Sequence, residues 1–387
     1  MAERALAHVE KIEWIRPIEG ADNIELIGVL GWVCIAKKGE FNVGDMAVYI
    51  EIDSKCPETD ERFAFLANKK FKVKTMKLGK FKVISQGLAL PLSLFPELQD
   101  KKIGDDVTEA LKITYASEED AARKTNKIDP NAKYKSMAKR RQKLFANPIV
   151  RRIMKYSIGR KIMFILFGRK KDNPKKFPDW IVKTDETRIE NAPFYLQSTE
   201  KWIKTEKCDG TSCTFAVDRL KKGKNKFDFI VCSRNVRQAD REQACYHESN
   251  IYWELADKYD IEKILTQFAT ENNYNRVVLQ GEGIGSVQGN PYKFTENKLF
   301  VFNLIIDGIR LGTVEMADFC KSHGLTSVPI IDTAYELPKT MEEMKLEADG
   351  YSELNPKVKR EGFVYRDILG QKSFKNVSRE YLLKHNG

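Results

Sequence analysis

Between Ala7 and Leu98 apolar and polar positions alternate in short runs. VEKIEWI, IELIGVLGWVCIA, MAVYIEI, FKVKTMKL and FKVISQGLALP are rich in β-branched and aromatic residues, with Gly20, Gly39, Gly44-Asp45 and Gly79 between them. Period-two runs broken by glycine predict a small antiparallel barrel of the OB type over residues 1–110. From 111 to 176 the chain turns polar, then basic. Ile149, Val150, Ile153 and Met154 fall there at helical spacing, and Pro130, Pro148 and Pro174 divide the stretch. From 177 to 387 the two periods alternate. TSCTFAVD, KFDFIVCS, RVVLQGEG, LFVFNLIID and EGFVYRD predict strands; SNIYWELADKYDIEKILTQFATEN predicts one long amphipathic helix, and VEMADFCKSHG a shorter one stopped by glycine. The expected architecture is two-domain: an N-terminal β-barrel, a basic and largely helical connector, and a C-terminal α+β domain.

Charge sharpens the middle of this picture. The whole chain carries +11, yet Asn131 to Lys176 alone holds sixteen lysines and arginines against one acid, Asp172. So local an excess predicts contact with a polyanion, with Arg140, Arg141, Arg151 and Arg152 as the RNA-binding candidates. A solvated connector and a membrane-surface helix are the alternatives. Trp14, Trp32, Tyr49, Phe71 and Phe81 in the barrel are equally candidates for stacking on bases or for filling the core.

Several classes are disfavoured. The first fourteen residues include Glu3, Arg4, Glu10, Lys11 and Glu13, unlike a secretory leader. The longest uncharged apolar run, IMFILFG, is far short of the roughly 20 residues that cross a bilayer. Seven scattered cysteines show no C-x-x-C spacing, so neither a disulfide partner nor a zinc site is expected, and an intracellular, cytoplasmic-type reducing compartment is.

The chemistry lies in an ordered series. Thr205-Glu206-Lys207-Cys208-Asp209-Gly210-Thr211 contains K-x-D-G; Cys232-Ser233-Arg234-Asn235, Leu279-Gln280-Gly281-Glu282, Phe300-Val301-Phe302-Asn303, Glu361-Gly362-Phe363-Val364 and Lys372-Ser373-Phe374-Lys375 follow, at or within predicted strands. This order resembles the covalent nucleotidyltransferases, the superfamily of DNA ligases, RNA ligases and mRNA capping enzymes, whose catalytic domain is DNA ligase-like and ATP-grasp-like. The segment Trp180 to Arg188, the wording E-K-x-D-G-T-S and an OB-like domain ahead of the catalytic one resemble a single branch, the fifth RNA ligase family.

The resemblance implies an ATP-dependent RNA ligase that joins 3′-hydroxyl and 5′-phosphate ends, with nicks in a duplex as one substrate. Lys207 would attack the α-phosphorus. At a reference pKa near 10.4 only about one lysine in a few thousand is neutral at pH 7, and lowering that pKa by about 3 units takes roughly 4 kcal/mol. A metal ion and cationic neighbours are expected to supply it. The family's positions place Mg²⁺ or Mn²⁺, through coordinated water, on Asp209, Glu282 and Glu361. They place the AMP moiety and phosphates on Glu206, Gly210, Arg188, Arg234, Glu282, Phe302, Lys372 and Lys375. Glu206 corresponds to the acceptor for the adenine amino group and Phe302 to the stacking ring. At the last motif Ser373 stands where the superfamily has a lysine, so Lys372 either substitutes for it or leaves Lys375 to act alone. Only twelve residues follow Lys375, too few for the C-terminal OB domain of DNA ligases and capping enzymes, whose tasks would fall to the N-terminal domain. A DNA ligase, a capping guanylyltransferase and a non-enzymatic RNA-binding OB protein remain as rivals.

Overall fold

A computed structural model describes residues 5–116, 175–220, 226–238, 250–287 and 289–385. Most of the basic connector, with Arg140, Arg141, Arg151 and Arg152, lies outside the described residues.

Five strands form the N-terminal sheet: β1 (Ala7–Pro17), β2 (Ile24–Val29), β3 (Trp32–Lys37), β4 (Met46–Ile50) and β5 (Leu88–Pro91). Their order is β3-β2-β1-β4-β5, all antiparallel. Residues Ala7 to Lys11 of β1 pair with β4; from Ile12 to Pro17 the strand pairs with β2, with a register break between Ile12 and Trp14. Such a bulge bends one strand so that it serves two half-sheets, as an OB fold requires. One apolar cluster gathers around Val9, Val48, Phe63 and Phe95, and another around Ile12, Ile27, Trp32 and Tyr49.

The run IELIGVLGWVCIA is a hairpin, turning at Leu30 and Gly31. No side chain fits at Gly31: a Cβ would lie 2.7 Å from the Glu190 Cα, and the Gly31 N–H donates to the Glu190 carbonyl at 2.8 Å. The predicted strand FKVKTMKL shrinks to Met76–Leu78, because Phe71 takes a left-handed backbone at φ 59°. Trp32 and Tyr49 are buried core and unavailable to bases. Trp14 is half-buried under the Arg16 guanidinium, 4.5 Å from its ring.

The C-terminal domain has two sheets. Its principal strands are β6 (Thr187–Arg188), β7 (Trp202–Lys207), β8 (Thr211–Arg219), β9 (Phe227–Cys232), β10 (Arg276–Ile284), β11 (Lys298–Ile306), β12 (Ile330–Tyr335), β13 (Gly362–Asp367) and β14 (Ser373–Val377). One sheet is built on β9-β8-β10-β11, the other runs β6-β14-β13-β7-β12. Helices α1 (Ile251–Lys258), α2 (Ile261–Glu271) and α3 (Thr313–Ser322) bury Leu255, Leu265 and Met316 with Phe215 and Leu279 of the first sheet. Helix α4 (Met341–Ala348) packs Met344 on Phe363 and Phe374 of the second. Helix α5 (Arg379–His385) follows β14.

The single long helix expected over 249–272 is in fact α1 and α2, broken where Asp260 turns left-handed at φ 49°. Aspartate tolerates that conformation better than most residues. The break lets Leu255 of α1 and Ile261 and Leu265 of α2 share one core, which a straight rod would not allow.

Candidate functional site

Lys207 ends β7, directly opposite Gly362 of β13. The next three residues, Cys208 to Gly210, carry the chain from the second sheet into β8 of the first. The K-x-D-G motif is therefore the crossover between the sheets. Gly210 belongs to it for packing reasons: a Cβ there would lie 2.5 Å from the Gly283 carbonyl oxygen. The missing side chain lets β10 approach the crossover.

The crossover gathers acids from distant segments. Glu361, just ahead of β13, places Oε1 2.7 Å from the Lys207 Nζ. Glu282 lies on β10 opposite Ser212, and its carboxyl feels Lys207, Glu361, Asp209 and Arg234. Burial pushes Glu282 up to about 8; Glu361 and Asp209 add to the rise, and Lys207 and Arg234 oppose it. Glu361 is raised by burial too, against the pull of Lys207.

For Lys207, burial favours the neutral amine, but Glu361, Glu282 and Asp209 outweigh it and hold the ammonium above the ordinary lysine range. The charges that act most strongly on it are anionic. Three acids around one lysine form a donor set suited to a cation. Among the described residues no group of three acids, histidines or cysteines is arranged to hold an ion directly.

Two cations stand beside the acids. The Lys375 Nζ lies 2.7 Å from Asp185, and the Arg234 guanidinium 3.2 Å from the same carboxylate. Asp185 was not singled out in the sequence, although it falls within the segment Trp180 to Arg188. Lys372 is not brought here. It occupies the turn between β13 and β14, its backbone N–H on Asp367 and its ammonium 2.6 Å from Glu200. Arg188 pairs with Lys375 in register but reaches for the N-terminal domain: its guanidinium lies 3.2 Å from Asp53 and 5.8 Å from the Trp32 ring centre.

Glu206, one residue before Lys207, points to the opposite face of β7 and is buried. Its Oε2 accepts from the Glu353 N–H at 2.7 Å, whereas Oε1 has no protein partner. Burial raises this carboxyl. Phe302 is half-buried against the cluster of Cys208, Ile284, Tyr292 and Phe300.

Two tyrosines complete the surroundings. The Asp209 N–H donates to the Tyr292 hydroxyl at 2.9 Å, and Tyr381 of α5 turns its hydroxyl towards the Asp209 side chain. A sequence signal for α5 existed: Ser378 caps it by accepting from the Tyr381 N–H at 3.1 Å, and a serine ahead of Tyr381-Leu382 is a helix-start pattern.

Comparison with known proteins identifies both domains. Residues 6–92 match the model of an OB-fold domain and residues 200–383 that of RNA ligase. Among solved structures, the apo form of a substituted Naegleria gruberi RNA ligase is 30% identical with a TM-score of 0.75, covering 100% of this chain and 99% of that one. The same enzyme with pyrophosphate is 31% identical, TM-score 0.75, with 99% of each chain covered. A substituted form with ATP and Mn is 30% identical, TM-score 0.74, over 98% of this chain and 99% of the other. No curated protein matches the chain.

Proposed function

The chain belongs to the RNA ligase family, and from that premise we propose that it seals RNA through a lysyl-adenylate on Lys207, using ATP with Mg²⁺ or Mn²⁺. The observation that carries this reading is the seat of Lys207, at the sheet crossover and in contact with Glu361, with Asp209 and Glu282 around it and Arg234 and Lys375 alongside. The nucleotide and metal of the Naegleria enzyme favour ATP and a divalent cation here too.

The reaction runs in three displacements. The Lys207 amine attacks the α-phosphorus of ATP and pyrophosphate leaves; the 5′-phosphate of one RNA end takes the AMP; the 3′-hydroxyl of the other end attacks and AMP departs. Arg234 and Lys375 meet phosphate oxygens, the first as a bidentate fork. Glu206 turns its unpartnered Oε1 to the adenine amino group, and Phe302 offers a ring for the base. Asp209, Glu282 and Glu361 would hold a divalent cation. Its charge would neutralise the α-phosphate and remove the carboxylate field that keeps Lys207 protonated.

The substrate ends, including nicks in a duplex, follow from the family reading; the units 1–110, 111–176 and 177–387 and a grip on RNA by the basic connector follow from the pattern and charge of the sequence. The six described cysteines are buried free thiols. Among the described residues no helix is long and apolar enough to cross a membrane.

Mass spectrometry after incubation with ATP tests the core of the proposal. An added AMP should map to the peptide bearing Lys207, and Lys207→Ala should abolish both the adduct and sealing of 5′-phosphorylated RNA. Sealing of pre-adenylated RNA should partly survive, because it bypasses the first two displacements. An adduct on another residue overturns the assignment. GTP in place of ATP, and DNA ends in place of RNA, separate a capping enzyme and a DNA ligase from this reading.

A further inference from the structure

Helix α5 belongs to two places at once. Val377, at the end of β14, and Leu382, within α5, are buried in the same apolar cluster as Ile12, Ile27, Val29 and Trp32 of the N-terminal sheet. The Tyr381 ring packs against that cluster. Its hydroxyl turns the other way, towards the side chain of Asp209, with Glu361 and Tyr292 close by. The helix is pinned to the catalytic domain as well: Ser378 Oγ donates to Asp349 at 2.6 Å, Arg379 makes a double contact with Glu342 at 2.8 and 2.9 Å, and Lys359 lies 2.8 Å from Glu380.

We propose that Tyr381 is a positioning residue for adenylation, through which docking of the OB domain on α5 sets the orientation of the Asp209 carboxylate. The inference rests on the proposed metal role of Asp209 and adds to it. A carboxylate that holds a cation through water must point accurately, since water-bridged interactions are long and easily broken. Asp209 sits in a crossover of three residues rather than in a strand, so its backbone fixes it less firmly than β10 fixes Glu282. The hydroxyl turned towards it restrains its χ angles. The ring bearing that hydroxyl is held by apolar atoms of the other domain, so the restraint is complete only when the two domains are seated.

The test uses the full chain and three variants: Tyr381→Phe, Leu382→Ala and Asp209→Asn. Tyr381→Phe keeps the ring and removes the hydroxyl, so its melting temperature should match wild type. Its half-saturating Mg²⁺ for self-adenylation at saturating ATP should rise roughly tenfold, the usual cost of removing the group that orients a metal-holding side chain. Mn²⁺ binding in the presence of AMP, followed by electron paramagnetic resonance without turnover, should weaken in parallel. Leu382→Ala touches no acid, yet should shift the metal requirement in the same direction by loosening the helix from the OB core. Wild-type metal dependence in Tyr381→Phe, with Asp209→Asn impaired, overturns the proposal and leaves the site reading intact. A Leu382→Ala protein that melts lower but keeps wild-type metal dependence removes the link to domain docking. Wild-type metal binding in Asp209→Asn removes both the proposal and the metal reading beneath it.

Discussion

Lys375 and Asp185 lie 190 positions apart in the chain and 2.7 Å apart in space, and the same aspartate holds Arg234 at 3.2 Å. One acid thus sets the spacing of two cations that would meet phosphate. Asp185→Ala should leave both cations present but free to wander. Adenylation should slow by about tenfold to a hundredfold, the scale of a displacement near 1 Å at a reacting centre. Single-turnover kinetics with ATP measure this; an unchanged rate constant would show that the spacing is set elsewhere.

Lys372 and Lys375 are separable by the same assay. Lys375→Ala should abolish or nearly abolish adenylation. Lys372→Ala should stay within about twofold of wild type, because an exposed ion pair such as that with Glu200 is worth little. A severe defect in Lys372→Ala would bring the turn back into the site.

Glu282 ties stability to function with a definite sign. Its carboxyl is raised to about 8 from an ordinary 4.5, so the folded state binds this proton more tightly than the unfolded chain. Stability from this group is fully present below the ordinary carboxyl range and is lost as pH rises through about 8. Glu282→Gln cannot lose it. In metal-free buffer the variant should melt increasingly above wild type as pH climbs from about 5 to about 9, while failing to adenylate. Melting curves across that range decide; a gap that narrows with pH contradicts the assignment.

Glu206 carries the choice of base. Glu206→Ala should raise the KM for ATP by roughly tenfold or more, through loss of a charge-assisted hydrogen bond, with little change in metal requirement. Initial rates at varied ATP and fixed Mg²⁺ separate the two effects. An unaltered KM would place the adenine amino group elsewhere.

The basic block supplies the prediction that rests on sequence alone. Replacing Arg140, Arg141, Arg151 and Arg152 with Gln should weaken RNA binding and flatten the slope of log affinity against log salt, by about 0.7 to 0.9 for each phosphate no longer neutralised. Adenylation by ATP without RNA should be unchanged. Titrations at several salt concentrations show which of these holds, and an identical slope would mark the block as a solvated connector.

The gathering of Lys207 with Asp209, Glu282 and Glu361 was legible because their motifs sit at or near strand ends, where short-range pattern fixes the side chain's place. The neighbours were not. Asp185 and Tyr381 act across most of the catalytic domain, and nothing local distinguishes them from other acids and tyrosines. The choice between Lys372 and Lys375 needed the turn after Asp367 to be located, and a dense basic motif hides it. The anionic surroundings of Lys207 were hidden for a related reason: they come from segments brought together only by the crossing of two sheets. The split of one long helix into two turned on a single left-handed residue, Asp260, to which periodicity is blind.

Gly31 presses against Glu190, and Val377 and Leu382 complete a core made mostly of N-terminal residues. The two halves are therefore not interchangeable cassettes. Cutting between them would leave an apolar scar on each piece, and grafting a foreign OB module onto this catalytic domain would require that module to offer a pocket for Leu382 and a side-chain-free turn beneath Glu190. Shuffling of such enzymes is constrained at the seam, far more tightly than the loop-like text between their motifs suggests.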